Sequence, residues 1–287
     1  GYKEPLLRVI SVSPDSPAQK AGLVAGDSII RIKDQVAPLI TVQRAERMLS
    51  GFENDTVDIV VQHHLTNTID EIKLVLTPYN QTGNLHFQMI DGIVHLRVSN
   101  RLSATAFDWI KKTIEDNRPN KGIILDLRGL NNGVDRDGFK LADLFIKDGL
   151  DIGAICDANG KIVETVKSED GYAFENYPLV ILVDSTSAGS AETCAIAMKT
   201  AGRGEIIGEK TFGRAIELKR ILLNTNYSID LISGVFGMLD GSICQNNGLN
   251  PDKTVDTTLT KPESDPFIDL ALQTLNASSL QEVSGGA

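Results

Sequence analysis

The chain has 287 residues and 41% of them are hydrophobic, so it is long enough to bury one large core or two of ordinary size. Its formal net charge is −10 at pH 7 and the sequence holds no cluster of Lys and Arg, which argues against nucleic acid and anionic membrane surfaces as partners. The three cysteines, Cys156, Cys194 and Cys244, are too few for a disulfide framework and form no CxxC pair, so we expect neither a metal nor another cofactor.

Short β-rich segments separated by turns make up the first part of the chain. The strand candidates LLRVISV, DSIIRIK, TVDIVVQHH and IDEIKLVLTP are rich in branched residues. Two helix candidates lie between them: SPAQKAG, where Ser16 can cap the first turn and Gly22 can end it, and TVQRAERMLSG. This pattern predicts a small β-rich domain over residues 1–80, followed by a turn-rich linker at Pro78–Asn84.

Strands alternate with helices from Phe87 onward. Continuous apolar segments such as GIILDL and PLVILV are typical of strands that are buried on both faces of a sheet. The segments LDIGAIC and KIVETVK flank the turn DANG and predict a hairpin. Together these features predict an α/β domain over residues 81–265. Residues 266–287 are expected to form a helix ending near Ser278 and a disordered tail.

Six blocks of sequence follow one another in a specific order: SPAQKAGLVAGDSIIRIKDQ, KGIILDLRGLNNG, LADLFI, YPLVILVDSTSAGSAE, GRGEIIGEKTFGRA and GLNPD. From about Val9 to Thr257 their order and spacing resemble the tail-specific, or C-terminal processing, serine proteases. The resemblance implies a PDZ domain, which captures substrate C-termini, joined to a protease domain with an α/β core of the crotonase and ClpP-like class. It also implies an extracytoplasmic setting, in a bacterial periplasm or cell envelope or in an organelle.

The catalytic positions of that family hold different residues in this chain. The resemblance implies a serine three residues before the glutamate of SAGSAE, a lysine twenty-two residues after that glutamate, and a glutamine four residues further on. These positions are occupied by Gly189, Arg214 and Leu218. Glycine offers no nucleophilic oxygen, arginine stays protonated, and leucine has no polar group to orient a base. We therefore expect the chain to lack the family's catalytic chemistry.

Neighbouring residues leave one catalytic alternative open. In LRGLNNG only Gly133 remains of the glycine pair that shapes the family's oxyanion hole, so the candidate oxyanion region is reduced to Gly133 and Ser190. Ser190 lies one residue beyond the expected nucleophile, and it or Ser187 could use Lys210 as a base only if the loop were rearranged. The favoured interpretation places Ser190 in the first turn of a helix and Ser187 in the turn before it.

The four histidines are expected to be solvent-facing or satisfied rather than paired with a serine. His63 and His64 end a strand of the first domain, whereas His86 and His95 lie at the first strand of the second domain.

Four acidic residues have candidate roles near the same region. Asp126 and Asp184 lie at the ends of strands, where a functional role and turn capping are equally consistent with the sequence. Glu192 and Glu209 are candidates to hold Arg214 in an ion pair.

These observations predict a catalytically inactive relative, a pseudoprotease, that acts as a peptide-binding or scaffold protein. The expected partners are polypeptide C-termini or extended peptides, together with an active protease relative or a second copy of the chain. Nucleic acid and metal ions are not expected as partners. Two alternatives stay open: an active serine endopeptidase that uses Ser190 and Lys210, and a purely structural protein. Only GYKEP precedes LLRVISV, where the family has its carboxylate-binding glycine loop, so the peptide-binding residues stay unassigned.

Overall fold

The chain forms two compact units, Gly1–Gly83 and Asn84–Ala287. The computed structural model describes residues 7–9, 12, 16–24, 26–40, 42–64, 66–77, 85–157, 159–169, 174–223, 228–255 and 265–284. The predicted linker at Pro78–Asn84 falls outside these ranges.

The first unit is built around an antiparallel sheet. Its strands are β1 (Leu7–Arg8), β2 (Ser28–Ile32), β3 (Gln35–Val36), β4 (Thr56–Gln62) and β5 (Ile69–Val75). They are arranged in the order β1-β2-β4-β5, and β3 pairs with β2. The helices are α1 (Pro17–Lys20) and α2 (Val42–Met48), and a 3-10 turn covers Ala37–Leu39. Apolar side chains of the strands, among them Ile32, Val57, Ile59 and Val61, form the core of this unit.

The predicted cap of the first helix is confirmed. Ser16 Oγ accepts a hydrogen bond from the Gln19 N–H at 3.1 Å, and Pro17 occupies the first helical position. This helix ends at Lys20, and Gly22 follows with a φ of 85°, which favours glycine.

The second unit contains a six-stranded sheet with four parallel pairings. Its strands are β6 (Leu85–Ile90), β7 (Ile93–Val98), β9 (Gly122–Asp126), β13 (Leu179–Val183), β14 (Glu205–Gly208) and β17 (Lys253–Thr254), in the order β17-β14-β13-β9-β7-β6. Only β6 and β7 pair antiparallel. Every residue of β9 and β13 is buried, which confirms the prediction from their continuous apolar sequences.

The second unit also contains a second, antiparallel sheet. It consists of β11 (Asp151–Cys156), β12 (Ile162–Lys167), β15 (Ile216–Leu222) and β16 (Ser228–Gly237), in the order β12-β11-β16-β15. The pairing of β11 with β12 confirms the predicted hairpin. The long hairpin of β15 and β16 was not predicted. Two short strands, β8 (Asn100–Arg101) and β10 (Leu130–Asn132), pair parallel beside the main sheet.

Helices cover both faces of the six-stranded sheet. They are α3 (Ala104–Asn117), α4 (Asp137–Asp143), α5 (Ser190–Thr200) and α6 (Pro266–Ser284). Alternate residues of the strands face opposite sides: Ile123 and Leu125 pack into the core formed with α3, α4 and α5, whereas Ile124 packs against α6. Within the described ranges, none of the helices combines the length and the apolar composition that a membrane crossing needs.

The last helix is longer than the sequence predicted. The predicted helix ends near Ser278, but α6 continues to Ser284, so the prediction of a disordered tail is wrong for residues 279–284. Residues 285–287 of the predicted tail lie outside the described residues.

Candidate functional site

A tight turn joins the end of β13 to the start of α5. Asp184 Oδ1 accepts hydrogen bonds from the Thr186 N–H at 3.0 Å and from the Gly129 N–H at 3.2 Å. Ser187 is fully buried, and its Oγ accepts from the Asp184 N–H at 3.0 Å and lies 3.1 Å from the carbonyl oxygen of Leu127. Asp184 therefore caps the turn, and Ser187 is engaged in the hydrogen bonds that hold the turn together.

Gly189 is the N-cap residue of α5 and has a backbone conformation that other residues rarely adopt. Its φ is 60° and its ψ is −111°. Its N–H donates to the carbonyl oxygen of Arg214 at 2.8 Å. An ideal Cβ at this position would lie 3.0 Å from Arg214 Nη2 and closer still to Asp135 Oδ1. The space in front of the helix terminus is thus filled by a guanidinium group and a carboxylate.

The other two residues at the positions that the resemblance assigned to catalysis lie in different environments. These residues are Arg214, which is partly buried beside Gly189, and Leu218, which is exposed. The Nη2 of Arg214 donates to the carbonyl oxygen of Asn131, whereas its Nε is buried and has no hydrogen-bond partner in the described part of the chain. Leu218 belongs to β15, and its side chain is 55% exposed. The structure therefore brings Gly189 and Arg214 together and leaves Leu218 on the adjoining strand.

Ser190 and Lys210, the alternative pair, are not hydrogen-bonded. Ser190 is 1% exposed, and its Oγ is buried without a partner among the described residues. Its carbonyl oxygen lies against Gly138 of α4, where a side chain would overlap it. Lys210 is exposed, on the segment between β14 and β15.

Gly133, the remaining candidate of the oxyanion region, is exposed and has a φ of 120°. An ideal Cβ there would lie 3.2 Å from the carbonyl oxygen of Leu102, so both the backbone and the close approach favour glycine.

Glu192 connects α5 to the segment that carries Arg214. Its carboxylate is fully buried and accepts hydrogen bonds from four donors, which are the Thr211 hydroxyl at 2.6 Å and the N–H groups of Gly213 at 2.7 Å, Arg214 at 2.7 Å and Gly189 at 3.2 Å. Sequence patterns alone did not indicate this network, because three of its four donors are backbone groups.

The predicted ion pairs of Arg214 are wrong. Glu192 accepts the backbone N–H of Arg214, and Glu209 accepts the Ser185 N–H at 3.1 Å. In the part of the chain that the structure describes, neither carboxylate is paired with the guanidinium group of Arg214. Each of them accepts a hydrogen bond from a backbone N–H instead.

Two of the histidines pair with carboxylates rather than with a serine. In the first unit, His63 Nδ1 lies 3.0 Å from Asp27 and its Nε2 lies 3.2 Å from Asp70. In the second unit, His95 Nε2 lies 3.2 Å from Asp126 Oδ2. Among the described residues, no group of three or more His, Cys, Asp or Glu side chains is placed to hold a metal ion.

Asp126 and Arg128 form a buried ion pair at the end of β9. Arg128 donates to both carboxylate oxygens, through Nε at 2.8 Å and Nη2 at 2.7 Å, and its Nη1 reaches Asp265, next to the start of α6, at 2.8 Å. Burial raises the pKa of Asp126, but the hydrogen bonds from Arg128 and His95 outweigh burial and hold that pKa well below its usual range. This pair has a structural role, since it ties the end of a central strand to α6.

A cavity of about 420 Å³ adjoins Gly189 on the side of Asp135. One wall is the segment from Gly133 to Arg136, and another is β15 with Ile216, Glu217 and Leu218. The volume is within the range of small-ligand sites, and β15 lies at the edge of its sheet. We call this space the β15 cavity.

Comparison with known proteins identifies the class to which this fold and site belong. A family model described as peptidase family S41 matches residues 92–255, and one described as PDZ domain matches residues 8–63. The chain therefore belongs to peptidase family S41 and carries a PDZ domain, as the resemblance of its sequence blocks predicted.

Several relatives with curated names are carboxyl-terminal processing proteases. The chain is 29% identical over 220 residues to carboxyl-terminal-processing peptidase 2, chloroplastic, of Arabidopsis thaliana, which covers 72% of this chain and 42% of that protein. It is 26% identical over 276 residues to the carboxy-terminal-processing protease of Bartonella bacilliformis, which covers 93% of this chain and 62% of that protein. The chain thus spans about half the length of the curated relatives it matches.

Solved structures confirm the expected fold, an α/β protease core together with a PDZ domain. The photosystem II D1 C-terminal processing protease matches with a TM-score of 0.70 at 21% identity, over 87% of this chain and 68% of that one. A putative S41 protease from Bacteroides fragilis matches with a TM-score of 0.57 at 15% identity, over 95% of this chain and 81% of that one.

Placing a serine at residue 189 is expected to destabilise the second unit. Serine would have to adopt the strained backbone conformation of Gly189, which costs roughly 1–3 kcal/mol, and Asp135 and Arg214 would have to move. Urea unfolding followed by the fluorescence of Trp109, the only tryptophan and a residue of α3, measures the loss in the second unit alone. Gly149→Ser is the control, because Gly149 has a φ of 78° but nothing within 4 Å of an ideal Cβ. Equal losses in the two variants would contradict crowding at residue 189.

Proposed function

We propose that this chain is a catalytically inactive member of peptidase family S41 that binds extended polypeptide as a scaffold or adaptor. The observation that carries the proposal is that the N-cap residue of α5, which stands at the position of the family's catalytic serine, has no side-chain oxygen. Gly189 occupies that position, and Arg214, which stays protonated, lies beside it in place of a basic amine. Leu218, at the orienting position, adds no polar group.

The rest of the site supports binding without cleavage. Glu192 holds the segment from Thr211 to Arg214 against α5 through hydrogen bonds that require no catalytic side chain. The β15 cavity stays open beside it, and the outer edge of β15 lies at the end of its sheet. Edge strands bind extended peptides by adding a strand, and PDZ domains capture peptides in a similar way. The proposed ligands are therefore polypeptide C-termini at the PDZ domain and extended segments at the β15 edge.

We place this activity outside the cytoplasm, in a bacterial envelope or an organelle. The support for this is the names of the relatives, of which one from Arabidopsis thaliana and one from Tetradesmus obliquus are chloroplastic. An active protease relative or a second copy of the chain is the proposed protein partner.

The test of catalytic inactivity uses a fluorophosphonate probe, which labels activated serines. The intact chain is expected to acquire no adduct by mass spectrometry and to leave β-casein, an unstructured protein, uncut. Stoichiometric labelling that disappears in Ser190→Ala would instead establish an active endopeptidase using Ser190 and Lys210, and would overturn the proposal.

The test of binding uses the same unstructured protein. Fluorescein-labelled β-casein is expected to show a saturable rise in fluorescence polarisation when the chain is added, and to stay full-length on a gel. A signal that never saturates would indicate a purely structural protein and would contradict the binding role.

A further inference from the structure

The charged side chains that line the β15 cavity are not balanced. Arg136 is held by Glu217 at 3.1 Å and by Glu164 at 3.3 Å, and Arg220 is held by Asp230 through two bonds of 2.7 and 2.8 Å. The lining thus contains three carboxylates and two guanidinium groups, and both guanidinium groups have acidic partners. Asp135 is the carboxylate of the lining that remains.

Arg214 is the cation that acts on Asp135, but the two side chains form no ion pair in the described part of the chain. The Oδ2 of Asp135 accepts the Ile216 N–H at 3.0 Å, and among the described residues no cationic group lies within 4 Å of its carboxylate. Arg214 is close, but its Nη2 donates to the carbonyl oxygen of Asn131. Glu192 accepts the backbone N–H of Arg214, so a second carboxylate shares the region of this one guanidinium group. The half-buried carboxylate of Asp135 thus lines an open cavity, and among the described residues it makes no direct ion pair.

Burial raises the pKa of Asp135, and the nearby carboxylates of Glu192 and Glu217 raise it further, against the lowering effects of the Ile216 N–H and Arg214. A cation bound beside Asp135 would favour its ionised form and would act against these raising effects.

The edge of β15 indicates which kind of molecule could place a cation beside Asp135. β16 pairs with one side of β15, and the other side has no strand beside it in the described sheet. Leu218 and Arg220 lie on one face of β15 and both line the cavity. An extended peptide added along this edge would direct alternate side chains toward the same face, and hence into the cavity.

We infer that the β15 cavity selects a basic side chain, lysine or arginine, of an extended polypeptide bound along the edge of β15, with Asp135 as its counter-ion. This inference rests on the proposed peptide-binding function and adds to it a sequence preference. The apolar stem of lysine or arginine would lie against Val134, Ile216 and Leu218, and the cationic end would reach Asp135. The proposed role of Asp135 is thus to determine specificity.

The test uses the full chain and isothermal titration calorimetry with nonapeptides of alternating serine and valine. The central valine is replaced in turn by lysine, arginine, norleucine or glutamate, and both ends are blocked, so that neither terminus carries charge. The lysine and arginine peptides are expected to bind at least tenfold more tightly than the norleucine peptide. In Asp135→Asn, which can still accept the Ile216 N–H, this preference is expected to fall to less than twofold. The matched control, Asp116→Asn on the exposed surface of α3, should keep the full preference.

Three outcomes would overturn the inference. The first is equal affinity for lysine and norleucine in the unmodified chain, and the second is an Asp135→Asn variant that weakens both peptides equally. The third is a norleucine peptide with a free N-terminus that binds as tightly as the blocked lysine peptide, which would assign the cation to an N-terminal amine. Saturable binding of β-casein alongside any of these outcomes would leave the proposed function intact, whereas loss of β-casein binding as well would remove both.

Discussion

Replacing Glu192 with glutamine is expected to lower the free energy of unfolding of the second unit by about 3–5 kcal/mol. The two buried carboxylate oxygens of Glu192 accept four hydrogen bonds. A glutamine keeps one accepting oxygen but turns an NH2 group toward two of the donors. Each buried donor that is left without a partner costs about 1–3 kcal/mol, and the amide hydrogens have no acceptor in that position.

Urea unfolding followed by the fluorescence of Trp109 measures this loss, because the only tryptophan lies in the second unit. Glu115→Gln is the matched control, since Glu115 is exposed on α3, and its effect is expected to stay within about 0.5 kcal/mol. Hydrogen exchange of the Gly213 and Arg214 amides should accelerate in Glu192→Gln and not in the control. A loss below about 1 kcal/mol, with these amides still protected, would show that Glu192 does not hold the segment.

The role of Glu192 explains how the segment that carries Arg214 is held in place without the side chain of residue 214. The segment that carries Arg214 is attached to α5 by a carboxylate that accepts mainly backbone donors. Such an attachment depends on the positions of backbone N–H groups. It is the same whether the side chain of residue 214 is a lysine amine or an arginine guanidinium group. The position of the segment therefore does not depend on which side chain residue 214 carries.

Much of the second unit could be predicted because burial leaves a clear pattern in sequence. β9 and β13 are continuous apolar segments because helices cover both of their faces. The β15 and β16 hairpin had no such pattern. Exposed apolar residues lie on both faces of β15, among them Leu218, Ile221 and Leu222. Apolar and polar residues therefore do not alternate along this strand.

The site was predictable only in part. Counting along the chain identified Gly189 and Arg214, and the structure places the Arg214 guanidinium within 3.0 Å of an ideal Cβ at Gly189. Nothing in the sequence around Asp135 indicates that its carboxylate fills the same space, because this depends on how the loop between β10 and α4 folds back onto α5. The ion pair expected between Arg214 and Glu192 was wrong for a related reason: sequence spacing does not distinguish a contact with a side chain from one with the backbone.

Replacing Arg128 with methionine is expected to destabilise the second unit by about 3–5 kcal/mol, because it leaves a buried charge without its partner. Asp126 is fully buried, and both of its oxygens accept bonds from Arg128. Asp265, next to the start of α6, would lose its partner as well. Hydrogen exchange in α6 should therefore accelerate together with the loss of stability that Trp109 fluorescence reports.

The dependence of this loss on pH separates the effect of charge from the effect of packing. In the unmodified chain the pKa of Asp126 lies below its unfolded value of about 3.9, so its contribution to stability is complete at neutral pH and is lost only in strong acid. In Arg128→Met the lowering effect of Arg128 on the pKa of Asp126 is lost. The raising effect of burial then prevails, and this pKa is expected to rise above the unfolded value. Protonation would then relieve the penalty, so the difference in unfolding free energy between the two proteins should shrink as the pH falls from 7 to 4.

The double variant Asp126→Leu/Arg128→Met is the matched control, since it removes the buried charge of Asp126 together with that of Arg128, while Asp265 loses its partner in both variants. It is expected to be more stable at pH 7 than Arg128→Met alone, and its stability relative to the unmodified chain should change less between pH 7 and pH 4. A loss in Arg128→Met that stays constant over this pH range would mean that the guanidinium acts through its contacts with Phe267, whose ring centroid lies 4.8 Å away, rather than by neutralising Asp126.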